Sequence, residues 1–329
     1  MTVLVTGAAG FIGSNLVDML LARGDDVIGL DNFDRYYDPG IKRANLSSAL
    51  ANPRFQLVEA DILDAARLRT VISARRPNGV IHLAARVSNR GSLVAADNER
   101  YATVNVEGTR VLLSACLAAP VRSFVFISTG NVYDSSAPAP FREGVTPDLP
   151  RTPYSRSKKE AETLVLEAAD REKLPATVLR LFTVFGPRQR PDMVHFRFVA
   201  ALLRDDPLTF IGSGSDLRDY LHVDDGCTAI MACLDQAPVG EVINVGSGTG
   251  TSLDGLLALL ARITGKTPRI LPQAAPANDT CLLLADIAKA DRLLDWRPQT
   301  GLDVGLRNFV VWLSATGNLS KKNEVRHDS

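Results

Sequence analysis

The chain has 329 residues, 37 of them Lys or Arg and 37 Asp or Glu, with 46% hydrophobic and 22% charged side chains. That balance excludes a basic nucleic-acid surface, a polyelectrolyte tail and a disordered chain, and no apolar run reaches the ~18 residues of a membrane helix. A globular enzyme or binding protein remains, with neither nucleic acid nor membrane expected as partner.

The chain opens on a strand pattern, "TVLVTG" (Thr2–Gly7), and not on a basic segment followed by an apolar one, so no leader is expected. A helix follows through "FIGSNLVDMLLARG". "DVIGLD" (Asp26–Asp31), "FQLVEAD", "GVIHLAA" and "SFVFIST" then recur as strands, with helical stretches between. Continuous Val/Ile/Leu strands alternating with helices predict an α/β fold, a doubly wound parallel (Rossmann) sheet over residues 1–180.

Beyond about residue 180 the texture changes. "LRLFTVFGPRQRPDM" is rich in Pro and Arg and reads as a loop. Helices are expected through "MVHFRFVAALLRDD", "DDGCTAIMACLDQ", "SLDGLLALLARITG" and "DIAKADRLLDW", and two short strands in "LTFIGSGSDLRDYLHV". Residues 181–316 thus form a smaller mixed α/β substrate domain, the chain crossing between the two, and 317–329 a flexible polar tail. Cys116, Cys227, Cys233 and Cys281 lack metal-ligand spacing; Cys227 and Cys233 read as small core residues, and a reducing cytoplasm fits. The histidines His82, His195, His222 and His327 also lack metal spacing, so no metal is expected; His82 and His222 read as structural.

Gly7, Gly10 and Gly13 in "TGAAGFIGSNL" fall between the first strand and its helix. The first permits the turn, the second lets backbone approach a pyrophosphate, and the third lets the helix pack close to the sheet. Asp31 ends the next strand, where an acid accepts both adenosine ribose hydroxyls and repels a 2′-phosphate, favouring NAD over NADP. Asp61 ends the third strand, positioned either for the adenine amine or as a helix N-cap.

"RTPYSRSKKEAE" (Arg151–Glu162) places Thr152 as a cap and Pro153 at the first helical position. At ~100° per residue, Lys158 lies about 40° around the helix from Tyr154 and Lys159 about 140°. Lys158 therefore shares the face of Tyr154, and Lys159 is expected to be solvated. An ammonium beside a phenol lowers its pKa and lets the phenolate act as a base.

"TGAAGFIGSNL", "HLAA", "ISTGNVY", "YSRSK" and "RDYLHVDD" together resemble the extended short-chain dehydrogenase/reductase family, in particular its nucleotide-sugar epimerases and dehydratases. The resemblance implies that Tyr154, Lys158 and Thr129 are catalytic, with Tyr133 structural. It implies an NAD site of Gly7, Gly10, Phe11, Ile12, Gly13, Asp31, Asn32, Asp61, Ile62, Leu83, Ala84, Ala85 and Ser128, besides Tyr154 and Lys158. It also implies a homodimer through helices at about 98–117 and 154–172.

Within the family, "DNFDRYYDPGIKRANL" and "LRLFTVFGPRQRPDM" resemble segments of the UDP-glucuronate 4-epimerases. That resemblance implies a UDP-sugar substrate, with Thr183 and Arg190 near the sugar carboxylate; a planar guanidinium suits a carboxylate. Arg90, Gly130, Asn131, Arg218 and Asp279 complete the implied substrate site. Dehydratases carry Asp-Glu where this chain has Gly130 and Asn131, which argues against water elimination. Pro276 stands where the family's pattern has an arginine for the diphosphate. The competing readings are a 4-epimerase of a neutral UDP-sugar, a decarboxylase, and a binding protein that senses a dinucleotide without turnover; retention of Tyr154, Lys158 and Thr129 opposes the last.

Overall fold

Alternate residues of the early strands bury into two different layers, and that requires a sheet covered on both faces. In β1 (Thr2–Thr6), Val3 and Val5 join one apolar cluster while Leu4 joins another. The computed structural model describes residues 1–87, 99–211, 214–273 and 282–316. Arg90, Pro276, Asp279, Cys281 and the tail 317–329 lie outside the described residues.

β1 continues through a glycine turn into α1 (Phe11–Arg23) and β2 (Asp26–Asp31). Short helices α2 (Pro39–Asn45) and α3 (Ser47–Leu50) precede β3 (Phe55–Glu59), α4 (Ala65–Arg75) and β4 (Gly79–His82). A π-helical stretch, Ala102–Glu107, runs into α5 (Gly108–Leu117), then β5 (Ser123–Thr129), α6 (Pro153–Arg171), β6 (Ala176–Leu181) and β7 (Thr183–Phe185). The remainder is α7 (Val194–Arg204), β8 (Leu208–Ile211), β9 (Leu217–His222), α8 (Val223–Gln236), β10 (Val242–Val245), β11 (Gly250–Ser252), α9 (Leu253–Thr264), β12 (Ile270–Gln273), α10 (Ala288–Leu294) and α11 (Leu302–Ala315).

Seven strands form one sheet in the order β10-β6-β5-β4-β1-β2-β3, every pairing parallel. α1 and α8 pack on one face through Leu16, Leu20, Ile230 and Cys233. α4, α5 and α6 pack on the other through Leu68, Leu112, Ala161 and Val165. A separate core of Phe185, Phe198, Tyr220, Leu257 and Phe309 joins α7, α9 and α11 with β7 and β9. The doubly wound sheet is as expected, and Cys227 and Cys233 are buried in its core.

The region read as a loop needs correction. "ATVLRL" is the buried strand β6, and "TVF" forms β7; the loop begins only at Gly186. A charge within the strand, Arg180, hides the apolar run, and burial is possible because Arg180 is neutralised by Asp148 and Glu162. The two strands of "LTFIGSGSDLRDYLHV" exist but do not pair with each other: β8 pairs with β12, and β9 with β7 and β11. β10 completes the large sheet from far along the sequence.

A Cβ on Gly13 would lie 2.1 Å from the Gly7 carbonyl oxygen, so helix α1 can approach the turn only without one. Gly13→Ala should cost about 1–3 kcal/mol through overpacking, read as a lower urea midpoint. An unchanged midpoint would show that the turn yields freely.

Candidate active site

The turn after β1 forms a cradle where side chains would not fit. Gly7 takes a left-handed φ of 72°, and a Cβ there would meet the Ala84 amide nitrogen at 2.8 Å. A Cβ on Gly10 would stand 3.2 Å from the Gly7 oxygen. The first-turn amides of α1, at Phe11, Ile12 and Gly13, have no carbonyl available within their own helix and point toward the cradle. Leu83 and Ala84 close its flank, donating to the Thr6 carbonyl at 3.2 Å and the Thr6 hydroxyl at 3.2 Å, and half-buried Ala85 follows. The space left by three missing side chains beside a helix N-terminus fits the pyrophosphate of a dinucleotide.

Asp31 ends β2 beside this cradle. Its carboxylate accepts from the amides of Ala9 (3.0 Å) and Phe33 (2.8 Å), with the Lys42 ammonium 3.6 Å away. Each carboxylate oxygen has two lone-pair directions, so capacity for ribose hydroxyls remains. Asp61 accepts from the Asn32 side chain at 2.7 Å and the Leu63 amide at 2.9 Å. It does not cap α4, where Asp64 accepts from the Arg67 amide; the N-cap alternative for Asp61 is thereby removed. Ile62 is buried against Gly108.

α6 starts as the sequence suggests, with Pro153 in its first turn and a reciprocal cap. The Thr152 hydroxyl accepts from the Ser155 amide (3.1 Å), and the Ser155 hydroxyl from the Thr152 amide (3.0 Å). Tyr154 lies in that first turn, its ring edge-on to Tyr101 at 6.1 Å between centroids. Thr129, at the end of β5, accepts from the Asn131 amide at 3.2 Å and directs its own hydrogen bond to the Tyr154 phenol. Burial pushes the Tyr154 phenol up to about 12, against the charge of Arg190 and the hydrogen bond from Thr129.

Arg190, from the loop after β7, also bears on Tyr154, its charge lowering the phenol against the effect of burial. Lys158 is buried with its ammonium 4.1 Å from the Phe126 ring centroid, and burial lowers it to about 7 although Glu162 opposes the fall. Lys159, expected to be simply solvated, is partly exposed and paired: it meets Asp148 at 2.5 Å and Glu162 at 3.3 Å. The Ser128 hydroxyl is also committed, donating to Glu162 at 2.5 Å.

Arg190 follows β7 in a loop docked on α1. Arg188 donates to the Ser14 carbonyl (2.9 Å) and Asp18 (2.6 Å), and the Asn15 side chain donates to the Pro187 carbonyl (3.1 Å). Asp192 grips one edge of the Arg190 guanidinium, taking Nε at 3.0 Å and Nη2 at 2.9 Å. The Tyr36 phenol also donates to Asp192, and the Tyr36 ring lies 4.6 Å from the Arg86 guanidinium and 5.4 Å from that of Arg190. A guanidinium carries five N–H donors, more than one carboxylate takes, so Arg190 has capacity for a second acceptor. Sequence reading missed Asp192, Tyr36, Arg188 and Asp18, although Asp192 lies inside the quoted "RPDM".

Gly130 is buried under the Phe182 ring, Asn131 is exposed, and half-buried Thr183 opens β7. Arg218 lies on β9, where its charge and above all burial push His195 down to about 3. Tyr133 is buried and donates to Asn244 at 2.8 Å. His82 is buried between Thr6 (2.7 Å) and Thr109 (3.0 Å), and burial, then Lys158, hold it down to about 3. His222 caps α8, accepting from the Asp224 amide.

With a dinucleotide cradle and a Thr–Tyr–Lys set on one sheet edge, the class is defined: the chain belongs to the NAD dependent epimerase/dehydratase family, which it matches over residues 3–246. Among its relatives is a UDP-glucuronate 4-epimerase of Thermodesulfobacterium geofontis, 35% identical over 98% of this chain and 99% of that protein. The structure of a UDP-glucuronic acid 4-epimerase from Bacillus cereus, in complex with UDP-glucuronic acid and NAD, matches with a TM-score of 0.90 and 35% identity over 95% of this chain and 99% of that one. A UDP-glucose 4-epimerase from Thermotoga maritima, solved with UDP-glucose, matches at a TM-score of 0.85 and 32% identity, over 95% and 99% of the two chains.

Asp148, beneath this site, gives a pH test. Burial pushes its carboxyl up, but hydrogen bonds from Arg180 and Lys159 outweigh this and leave it below the usual carboxylate range. A depressed folded pKa contributes stability that is present above the unfolded value of about 3.9 and is lost as pH falls through the folded one. The stability gap between wild type and Asp148→Asn should therefore be widest near neutrality and shrink toward pH 3, measured by urea denaturation. A gap independent of pH would refute this.

Proposed function

We propose that this protein is an NAD-dependent nucleotide-sugar 4-epimerase acting on UDP-glucuronate to give UDP-galacturonate. Residues 1–180 supply the cofactor site and part of the substrate site, and residues 181–316 supply the rest, with Thr183, Arg190 and Arg218. The observation that carries the uronate reading is Arg190, a guanidinium aligned by Asp192 whose charge bears on Tyr154. The names of the relatives support it.

Tyr154, as phenolate, removes the proton from the sugar 4-hydroxyl, and Thr129 orients that hydroxyl. Bound along the cradle, NAD takes the hydride from C4 and later returns it, so none is consumed. The 4-keto sugar turns about its diphosphate linkage and presents its opposite face. Tyr154 then gives its proton back to the C4 oxygen. Lys158 supplies positive charge and a donor beside the phenol. The 4-keto uronate is a β-keto acid, which loses CO2 when its carboxylate bond aligns with the carbonyl π system. Thr183 and Arg190 hold the carboxylate out of that alignment. Asp31 selects NAD by its negative charge.

The protein acts as a cytoplasmic homodimer in this reading. Three buried thiols, at Cys116, Cys227 and Cys233, suit a reducing compartment. Half-buried Val104 on the π-helical stretch, Val111 on α5, and Leu164 and Leu166 on α6 offer the dimer surface; sedimentation at a monomer's mass would exclude it. A neutral-sugar epimerase is the second reading, favoured by one observation: Asp192 already neutralises Arg190.

Proton NMR of the enzyme with UDP-glucuronate should show a new UDP-galacturonate anomeric signal and no pentose. Conversion of UDP-glucose alone would favour the second reading. Tyr154→Phe should lower kcat about 10²–10⁴-fold, as loss of a general base does. Arg190→Ala should raise KM for UDP-glucuronate and release a UDP-pentose; unchanged affinity without pentose would remove its clamp role.

A further inference from the structure

Helix α2 turns polar residues inward. Lys42 and Asn45, three apart and so on one face, are both buried, with 8% and 7% of their surface exposed. A surface helix ordinarily points such residues at water. Asn45 is spent on the glycine cradle: its side-chain amide donates to the Ala9 carbonyl at 3.1 Å, while the Ala9 amide donates to Asp31 at 3.0 Å. Lys42 is thereby held over the same corner. Its ammonium lies 3.6 Å from Asp31 and 5.3 Å from the centroid of the Tyr37 ring.

This ammonium has its charge balanced but its donors unused. At 3.6 Å the contact with Asp31 is an ion pair, too long for a hydrogen bond. Among the described residues no group accepts a hydrogen bond from Lys42. The Tyr37 hydroxyl is buried and likewise has no partner among them. A lysine is almost never buried in this way unless something takes its protons. Arg43, the next residue, is committed elsewhere, 4.2 Å from the Phe33 ring centroid and 3.1 Å from Glu59.

The chemistry of a ribose diol matches what is left over. Each hydroxyl donates one proton and keeps lone pairs on the same oxygen. A carboxylate takes the protons, and an ammonium beside it fills the lone pairs. Together the two side chains carry no net charge, which suits burial against a neutral sugar. A 2′-phosphate would be repelled by Asp31 and attracted by Lys42.

We propose that Lys42 is a cofactor-binding residue, donating to the adenosine ribose hydroxyls whose protons Asp31 accepts, and that exclusion of NADP therefore depends on Asp31 alone. With the carboxylate removed, the same ammonium becomes a 2′-phosphate site. The proposal rests on the reading of Asp31 as the ribose carboxylate.

The test is exchange of labelled NAD and NADP into the purified protein, followed by gel filtration and counting of the retained dinucleotide, with no substrate present. Wild type should retain NAD and little NADP. Lys42→Met should weaken NAD retention about tenfold or more, as loss of a hydrogen bond from a charged group does, and Lys42→Arg should recover most of it. Asp31→Ser should retain NADP better than NAD, and the double variant Asp31→Ser, Lys42→Met should lose that gain. Unchanged NAD retention in folded Lys42→Met overturns the proposal, as does a double variant that holds NADP as well as Asp31→Ser. Where methionine prevents folding, Lys42→Gln replaces it in both variants, with the same outcomes deciding. A wild type that retains both dinucleotides equally sinks the ribose reading of Asp31, while a loss of NAD in Lys42→Met would still place the lysine at the cofactor.

Discussion

The ion pair between Arg180 and Glu162 ties the sheet to the helix that carries the site. Arg180 lies toward the end of β6 and Glu162 in mid-helix on α6, both almost wholly buried. Two charges out of water gain little net energy, but separating them costs about 3–5 kcal/mol. Against a domain stability of about 5–15 kcal/mol, that fixes the register of α6 on β5 and β6. Tyr154 and Lys158 ride on that helix, and Ser128 and Thr129 on the strand. The hydrogen bond from Ser128 to Glu162 extends the same lock to the residue beside Thr129.

A second lock sits on the opposite side of the sheet edge. The loop after β7 would swing freely if held only by its ends. Arg188 and Asn15 fasten it to α1, the helix whose first turn forms the cradle. Arg190 is then set by Asp192, and Tyr36 connects the segment after β2 to the same carboxylate. The parts that meet a dinucleotide and those that meet a sugar are thus mechanically joined, as a hydride transfer with little positional tolerance requires.

Much of this was legible in the sequence, because local patterns wrote it. The glycine spacing, Asp31 at a strand end, the Thr152–Pro153 cap and the shared face of Tyr154 and Lys158 follow from turn sterics and helix period. What was not legible depends on groups far apart in sequence. Arg180 hid β6, since a strand with a buried arginine makes sense only once Asp148 and Glu162 are seen around it. Lys159 read as solvated because its partner Asp148 comes from an irregular segment ahead of the helix. Arg190 escaped notice as a further charge acting on Tyr154, because the fold brings it there from a distant loop. Glu162 was missed for the same reason, since its partners Ser128 and Arg180 come from two strands of the sheet.

The distribution of buried charge separates the scaffold from the working groups. Arg180 has Glu162 and Asp148, Arg190 has Asp192, and Asp31 has Lys42 nearby. Each is compensated by direct contact, as burial demands. Among the described residues, Lys158 is compensated only at a distance, with an aromatic face as its near neighbour. Its ammonium donors are therefore not consumed by a carboxylate, and its charge is poised near neutrality. A structural ion pair would have been closed completely. A buried ammonium with no carboxylate in contact among the described residues is costly for stability, and that cost fits the role proposed for Lys158 beside the Tyr154 phenol.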